Sequence, residues 1–322
     1  MIMNKKRFFA FMPALALAVC VCTFTSCSDD DENGSAPSGP TTTFEGKLLT
    51  QVGNYEFDYD NNGRCTSVSS TYGEYVKIDY AKNKITLDDG DQEMSVSFNS
   101  KGYITKMSGS WNENYEGESY KGNGSISFGY DGNGHMTEQN SSSKETGSYD
   151  GESYSFSGTS TVSCKWNGGN LVSATARYDE NEDGEKSWYS EDYTVTYDET
   201  LNNKAKQFPM VFTDLFGDDM YLLALVGMFG VGPTNMPAKV VCTEKDNYGS
   251  NSEYETTVTF DLNADGTINW ERLNGTTYNY SYMGYSSSGD EEVPVTPAMM
   301  AANACKKKLS VRNIFMRNFN RK

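Results

Sequence analysis

Histidine is almost missing from this chain: His135 is the only one in 322 residues. Any Ser-His-Asp chemistry would rest wholly on that side chain, and a multi-histidine metal centre is excluded. His135 falls in Gly132-Asn133-Gly134-His135, a turn expected to stand in solvent. Paired cysteines are also missing. Cys65, Cys164, Cys242 and Cys305 are scattered with no CxxC spacing, which removes a structural zinc motif and leaves single, reduced thiols as the expectation. Basic residues are scarce in the body: against 44 Asp and Glu the chain has 27 Lys and Arg, and both of its ends are basic. A surface this acidic repels phosphate backbones, so no nucleic-acid partner is expected. Past residue 24 there is no apolar run long enough to cross a bilayer as a helix.

The beginning of the chain carries its most specific signal. Lys5, Lys6 and Arg7 precede an apolar stretch from Phe8 to Phe24, the charged-then-apolar order of an export signal. Of the three cysteines at its end, only Cys27 follows a small residue, Ser26. Phe24-Thr25-Ser26-Cys27 resembles a bacterial lipobox, although Leu is usual where Phe24 stands. Residues 1–26 are therefore read as a lipoprotein signal peptide and Cys27 as the acylated residue, with enough acyl chain for stable attachment to the outer membrane. Ser28-Asp29-Asp30-Asp31-Glu32 resembles the export tag of Bacteroidetes surface lipoproteins, which implies a domain facing the cell exterior. Residues 27–43, acidic and then rich in Pro, Ser and Thr, form a flexible tether.

Residues 44–290 read as one β domain. Ile126, Phe128 and Tyr130 alternate with Ser127 and Gly129, and Val76, Ile78 and Tyr80 alternate with Lys77 and Asp79. That is the period-two pattern of a half-buried antiparallel sheet. A loose phrase recurs: an aromatic, then Asp or Asn, then a Gly turn, then an apolar residue. It occurs around Tyr59-Asp60, Phe98-Asn99, Tyr130-Asp131, Trp166-Asn167 and Phe260-Asp261. Asp or Asn before Gly supplies the positive backbone angles of tight hairpins. One segment breaks the pattern. Residues 214–232 include Met220 to Phe229, with Asp218 and Asp219 before it and Gly230, Gly232 and Pro233 after, which predicts a short apolar helix packed on or in the sheet. Residues 291–322 form a basic tail, for which a disordered state and a short helix over 298–311 both stay open.

The hairpin phrase, the apolar segment between strands and the tagged lipobox together resemble a Bacteroidetes surface lipoprotein family of unknown function with a porin-like fold. The resemblance implies an all-β antiparallel meander curling into a barrel-like sheet. It implies neither a pore nor any catalytic residue. Short strands, and long ones rich in Ser and Gly, lack the lipid-facing apolar alternation of a spanning barrel.

Two chemical candidates remain. Asp261-x-Asn263-x-Asp265-Gly266 and Asp179-x-Asn181-x-Asp183-Gly184 copy the first half of a calcium loop. The twelfth position, where a bidentate Glu belongs, is Arg272 and Ser190 respectively, so ordinary hairpin turns are the favoured reading and no cofactor is expected. The 22 tyrosines and four tryptophans could build a platform for sugar rings or acyl chains, though most serve as strand formers. The functional expectation is a non-catalytic cell-surface binding module for an extracellular glycan or lipid-like ligand. An accessory protein that contacts an outer-membrane partner protein is the alternative. A glycan-acting hydrolase comes third, because nothing marks out one pair of carboxylates.

Overall fold

A computed structural model describes residues 43–70, 75–87, 92–115, 118–149, 152–212, 215 and 221–284. The signal peptide, Cys27, most of the tether and the basic tail lie outside these residues.

Sixteen antiparallel strands make the fold. Six short ones come first: β1 (Lys47–Val52), β2 (Tyr55–Tyr59), β3 (Cys65–Ser70), β4 (Tyr75–Asp79), β5 (Lys84–Leu87) and β6 (Gln92–Phe98). Eight long ones follow: β7 (Ile104–Tyr115), β8 (Glu118–Tyr130), β9 (Met136–Tyr149), β10 (Glu152–Asn167), β11 (Asn170–Glu182), β12 (Glu185–Asn202), β13 (Asn235–Asp246) and β14 (Asn251–Leu262). Two shorter ones, β15 (Ile268–Leu273) and β16 (Thr276–Gly284), end the series. Each strand pairs with the next, and β1 closes on β16 from Lys47↔Gly284 to Val52↔Tyr280. The meander is thus a closed barrel with no free edge, which removes the unpaired strand edges that invite aggregation.

The recurring phrase in the sequence is one turn used repeatedly. Asp60, Asn99 and Asp131 each donate the main-chain N–H to the carbonyl four residues on, in Arg64, Tyr103 and His135. Each accepts at its own carbonyl from a glycine three residues on, Gly63, Gly102 or Gly134, with φ of 72°, 81° and 90°. Each side-chain Oδ1 also accepts the N–H groups two and four residues on, at 2.9–3.0 Å. The Asp or Asn replaces ladder bonds that the turn cannot make, and only Gly takes the following angle without strain. The preceding tyrosine has its own task. Tyr59 and Tyr130 lay their rings inside the barrel and donate their hydroxyls to the carbonyls of Leu49 and Ile104 on the adjacent odd-numbered strand.

Sixteen strands enclose more volume than wall side chains alone can fill. The excursion between β12 and β13 fills it at the end where these turns lie. Asn203, fully buried, closes the base of the excursion: its Nδ2 donates to the carbonyls of Gln207 and Pro233, and its N–H to that of Thr234. A 3₁₀ turn, Met210–Phe212, and a helix, α1 (Tyr221–Leu225), pack inward with Met228 and Phe229. The sequence suggested a helix running to Gly230. The chain leaves the helix earlier, where Gly227 takes φ 73° and Met228 N–H bonds to Leu223 O. A left-handed glycine ends a helix by satisfying its last carbonyls, so Gly227 is the true stop. The plug then joins the wall: Ile104 N–H donates to Met228 O, and Val231 N–H to Gly134 O. At Gly230, φ is 94° and a Cβ would stand 2.2 Å from Gly134 O, so no other residue fits.

Around the plug the barrel is largely apolar inside, and its outer face is polar. On β10, Thr159, Thr161, Ser163 and Lys165 are exposed, while Ser160, Val162 and Cys164 between them are buried. On β8, Lys121, Asn123 and Ser127 are exposed, and Ile126 and Phe128 are buried. Among the described residues, the exposed large apolar side chains are Tyr248 and Tyr254 alone. A membrane-spanning barrel has the reverse arrangement, with an apolar band outside and a polar lumen.

Candidate functional site

The strands differ in length by design of the sequence, and the difference shapes the molecule. β6 has 7 residues and its neighbour β7 has 12; with Met94 opposite Gly109, β7 runs past the start of β6 by about 13 Å at roughly 3.3 Å per residue. The strands β7 to β14 all carry 12 or more residues. They form a wall that stands beyond the packed, plugged half. Its inner face sets Trp, Tyr, Ser, Gly and Glu among aliphatic side chains such as Val162 and Val195.

One cluster lies on β7 to β10. Glu145 is buried, and its carboxylate accepts from Trp111 Nε1 at 2.7 Å and from the Tyr154 hydroxyl. The rings lie flat because the floor beneath is bare. A Cβ on Gly122 would come within 2.4 Å of the Trp111 ring, and one on Gly147 within 2.8 Å of the Tyr154 ring. Beside them Ser141 and Ser160 share a hydroxyl–hydroxyl bond of 2.6 Å across the strands.

A second cluster lies on β11 to β13. Glu191, also buried, accepts from the hydroxyls of Tyr178 at 3.2 Å, Tyr193 at 2.9 Å and Tyr189. Tyr189 also reaches Glu244, at 3.3 Å, and stacks on Tyr178 with centroids 5.2 Å apart. Burial, with the hydrogen bond to Glu191 next in weight, pushes the Tyr189 phenol well above its ordinary range, so it stays a donor. Ligand atoms of Glu191, Cys242 and Glu244 all lie within 4.8 Å of one another. At the rim Tyr254, the cross-strand partner of Cys242, is 55% exposed. Burial, followed by the neighbouring Asp183 and Glu185, raises the pKa of Glu182 near the same end.

The plugged half holds a third buried acid, Glu271 on β15. It accepts the N–H groups of Met210 at 2.7 Å and Val211 at 2.9 Å, and the Tyr280 hydroxyl at 2.8 Å. Burial pushes its pKa up to about 7, against the pull of those three donors. It ties the plug to the wall.

The residues singled out in the sequence take different places. Asp261 is an outward-facing β14 residue that accepts from Asn269 Nδ2 at 2.6 Å. Asn263 opens a turn closed by Thr267, and Asp265 accepts from Thr267 and pairs with Lys47, which holds its carboxyl down at about 2. Asp179 is forked by Arg177 on the outside of β11. Asn181 pairs with Lys186 in the same ladder, and Asp183-Gly184 is the two-residue turn between β11 and β12, with φ of 51° and 90°. These six positions act as turn and surface residues and are not gathered into one cage. Cys65 and Cys164 are buried and Cys242 is half-buried, and none of them forms a disulfide among the described residues. His135 corrects the sequence reading. It is buried, stacked on Trp166 at 4.3 Å, with Nδ1 2.9 Å from Asp131 Oδ2. Trp166 arrives from β10, well away in sequence, and the plug covers the turn from below.

The inner glutamates were not picked out from the sequence. Tyr189-x-Glu191-x-Tyr193-x-Val195-x-Tyr197 does carry a signal, an acid in phase with an inward aromatic stripe. Glu145 has none, since Ser and Lys fill both phases around it.

No protein-family model matches this chain, and no curated protein matches it. Among solved structures it is similar to a porin-like protein from Bacteroides uniformis, with 18% sequence identity, a TM-score of 0.45, and coverage of 77% of this chain and all of that one. A likeness that loose carries nothing about function.

Proposed function

We propose that this chain is a non-catalytic binding barrel of the bacterial envelope, anchored to the outer membrane through an acylated Cys27 and facing the cell exterior. The inner face of the β7–β14 wall receives a polar extracellular ligand, of glycan type. The observation that carries this reading is the wall itself: flat-lying Trp111 and Tyr154, and the Tyr178–Tyr189 stack, each fixed by a buried glutamate. Aromatic faces with fixed hydroxyls and carboxylates are the means by which proteins hold sugar rings. A lipid-like ligand fits less well, because the apolar half is occupied by Phe229, Met228 and the rest of the plug. The hydrolase reading is disfavoured by placement. Glu191 and Glu244 are direct cross-strand partners on one wall, whereas glycoside cleavage needs carboxylates on opposite sides of the bond. An outer-membrane partner protein is the second reading, favoured by Tyr248 and Tyr254 at the rim.

Two measurements test this proposal. Metabolic labelling with a radioactive fatty acid should mark the chain and fail to mark the Cys27→Ala variant; equal labelling of both removes the anchor. Titration of the purified chain with a panel of soluble glycans should give binding that Tyr189→Ala abolishes. Absence of binding across the panel, with retention of an outer-membrane protein on the same material, would move the reading to the partner protein.

A further inference from the structure

We infer that the ligand of the β7–β14 wall carries protonated amino groups; this rests on reading that wall as the binding face. The charge on its two faces is sorted. Lys121, Lys144, Lys165, Arg177, Lys186, Lys239 and Lys245 all fall on the outward phase of their strands. Their ion pairs lie outside as well, Arg177 with Asp179, Lys239 with Glu255 and Lys245 with Asp192. The inward phase holds Glu145, Glu180, Glu182, Glu191 and Glu244, and among the described residues no Lys or Arg. Tyrosine and serine hydroxyls are the donors there.

A second observation points the same way. Gln139 is 4% exposed, and its Oε1 is a buried acceptor with no hydrogen-bond partner. It stands in one cross-strand row with the acids: Gln139↔Val162↔Ala176↔Glu191↔Glu244. A buried amide oxygen left without a donor costs free energy that a ligand N–H would recover. The row spans three strand gaps between Gln139 and Glu191, about 14 Å at roughly 4.8 Å per gap. That length suits a ligand with several amines better than a single small ion. Aromatic faces beside carboxylates are also the usual environment of an ammonium group. The shared chemistry is an alkylammonium, carried on a sugar ring or on a flexible chain.

The test is calorimetric titration of the whole chain, solubilised from membranes, with EDTA present throughout so that no divalent metal bridges ligand and wall. The probes are a glucosamine trimer, its N-acetylated counterpart and spermine. The inference expects the free-amine trimer to bind at least tenfold more tightly than the acetylated one. Glu191→Gln and Glu244→Gln should each weaken it about tenfold, and added salt should weaken it further. Glu255→Gln, on the outer face, should leave it unchanged. Thermal unfolding checks each variant; if Glu191→Gln does not fold, the half-exposed Glu244 carries the test. Spermine binding alone, lost in the same variants, upholds the ammonium and removes the glycan. Equal affinity for the acetylated trimer overturns this inference and leaves the glycan reading standing. Failure of all three probes overturns the inference, while the neutral glycan panel judges the earlier reading on its own.

Discussion

The plugged half and the overhanging wall are built from the same sheet by opposite rules. In the plugged half most inward positions are apolar, tyrosine hydroxyls end on backbone carbonyls or, for Tyr280 and Tyr282, on Glu271 and Gln207, and an inserted segment fills the space that remains. In the wall the inward positions are small or polar, and the large rings lie flat against the strands instead of meeting in the middle. Close packing gives one region its stability. The other holds donors and acceptors in fixed places with little apolar burial beneath them. On the reading proposed above, the buried glutamates of the wall serve a ligand rather than the core. Substitutions should therefore separate the halves cleanly, stability falling in one and ligand affinity in the other.

The largest effect is expected at Phe229, fully buried and packed on Phe128 with centroids 4.7 Å apart. Phe229→Ala should cost about 3–5 kcal/mol by losing burial and opening a cavity, read as a lower urea midpoint. Affinity measured on the fraction that stays folded should not move. If affinity falls along with stability, the two halves are one cooperative site and the contrast drawn between them fails.

Glu271 gives the plugged half a pH dependence of a definite sign. Its pKa is raised by folding, from the ordinary 4.5 to about 7, so the folded state binds the proton more tightly than the unfolded chain. That contribution is fully present below pH 4.5 and disappears as pH rises through 7, a change on the order of 3 kcal/mol for this buried group. Unfolding at pH 5 and pH 8 should show it, and Glu271→Gln should flatten the difference. A slope unchanged in the variant would assign the effect to other carboxylates.

How much of this could be read from the residues varies with their surroundings. Turns were legible because Asp60, Asn99 and Asp131 act on neighbours two to four residues away. Closure was only partly legible: the meander implied a curling sheet, but nothing near Lys47 announces Gly284 as its partner. The plug was visible as an apolar interruption, yet its stop was misplaced because two later glycines, Gly230 and Gly232, and Pro233 masked Gly227. His135 misled for the same reason as closure, since Trp166 and the plug bury it from a distance. Glu145 was illegible. Where Ser, Lys and Thr occupy both faces of a strand, period-two patterning gives no register, and inside cannot be told from outside.

In the wall, Gly122→Ala separates support from function at smaller scale. The added Cβ would meet Lys144 O and the Trp111 ring at 2.4 Å, and neither backbone nor a pinned indole can yield cheaply. A loss of about 1–3 kcal/mol is expected from such overpacking, together with a shift in Trp fluorescence as the indole leaves Glu145. Ligand affinity should fall with the fluorescence change. Retained affinity with a displaced indole would take Trp111 out of the binding face and leave the Tyr178–Tyr189 cluster alone.

The smallest effect belongs to the outer surface, and its smallness is informative. Thr159 is exposed in the middle of β10, between buried Gly158 and Ser160. If the wall stands in water, Thr159→Lys changes stability by no more than about 0.5 kcal/mol, as surface substitutions do. If it stands in hydrocarbon, a lysine there costs roughly 2–4 kcal/mol. Unfolding of the two proteins side by side, in detergent and in reconstituted membranes, distinguishes these values. The polar exterior of β8 and β10 predicts the smaller one in both settings, and so does the proposed lipid anchor, which would leave no wall residue inside the bilayer. A large penalty confined to membranes would mean that polar strands enter lipid after all, and the wall's inner face would then be a lumen rather than a trough.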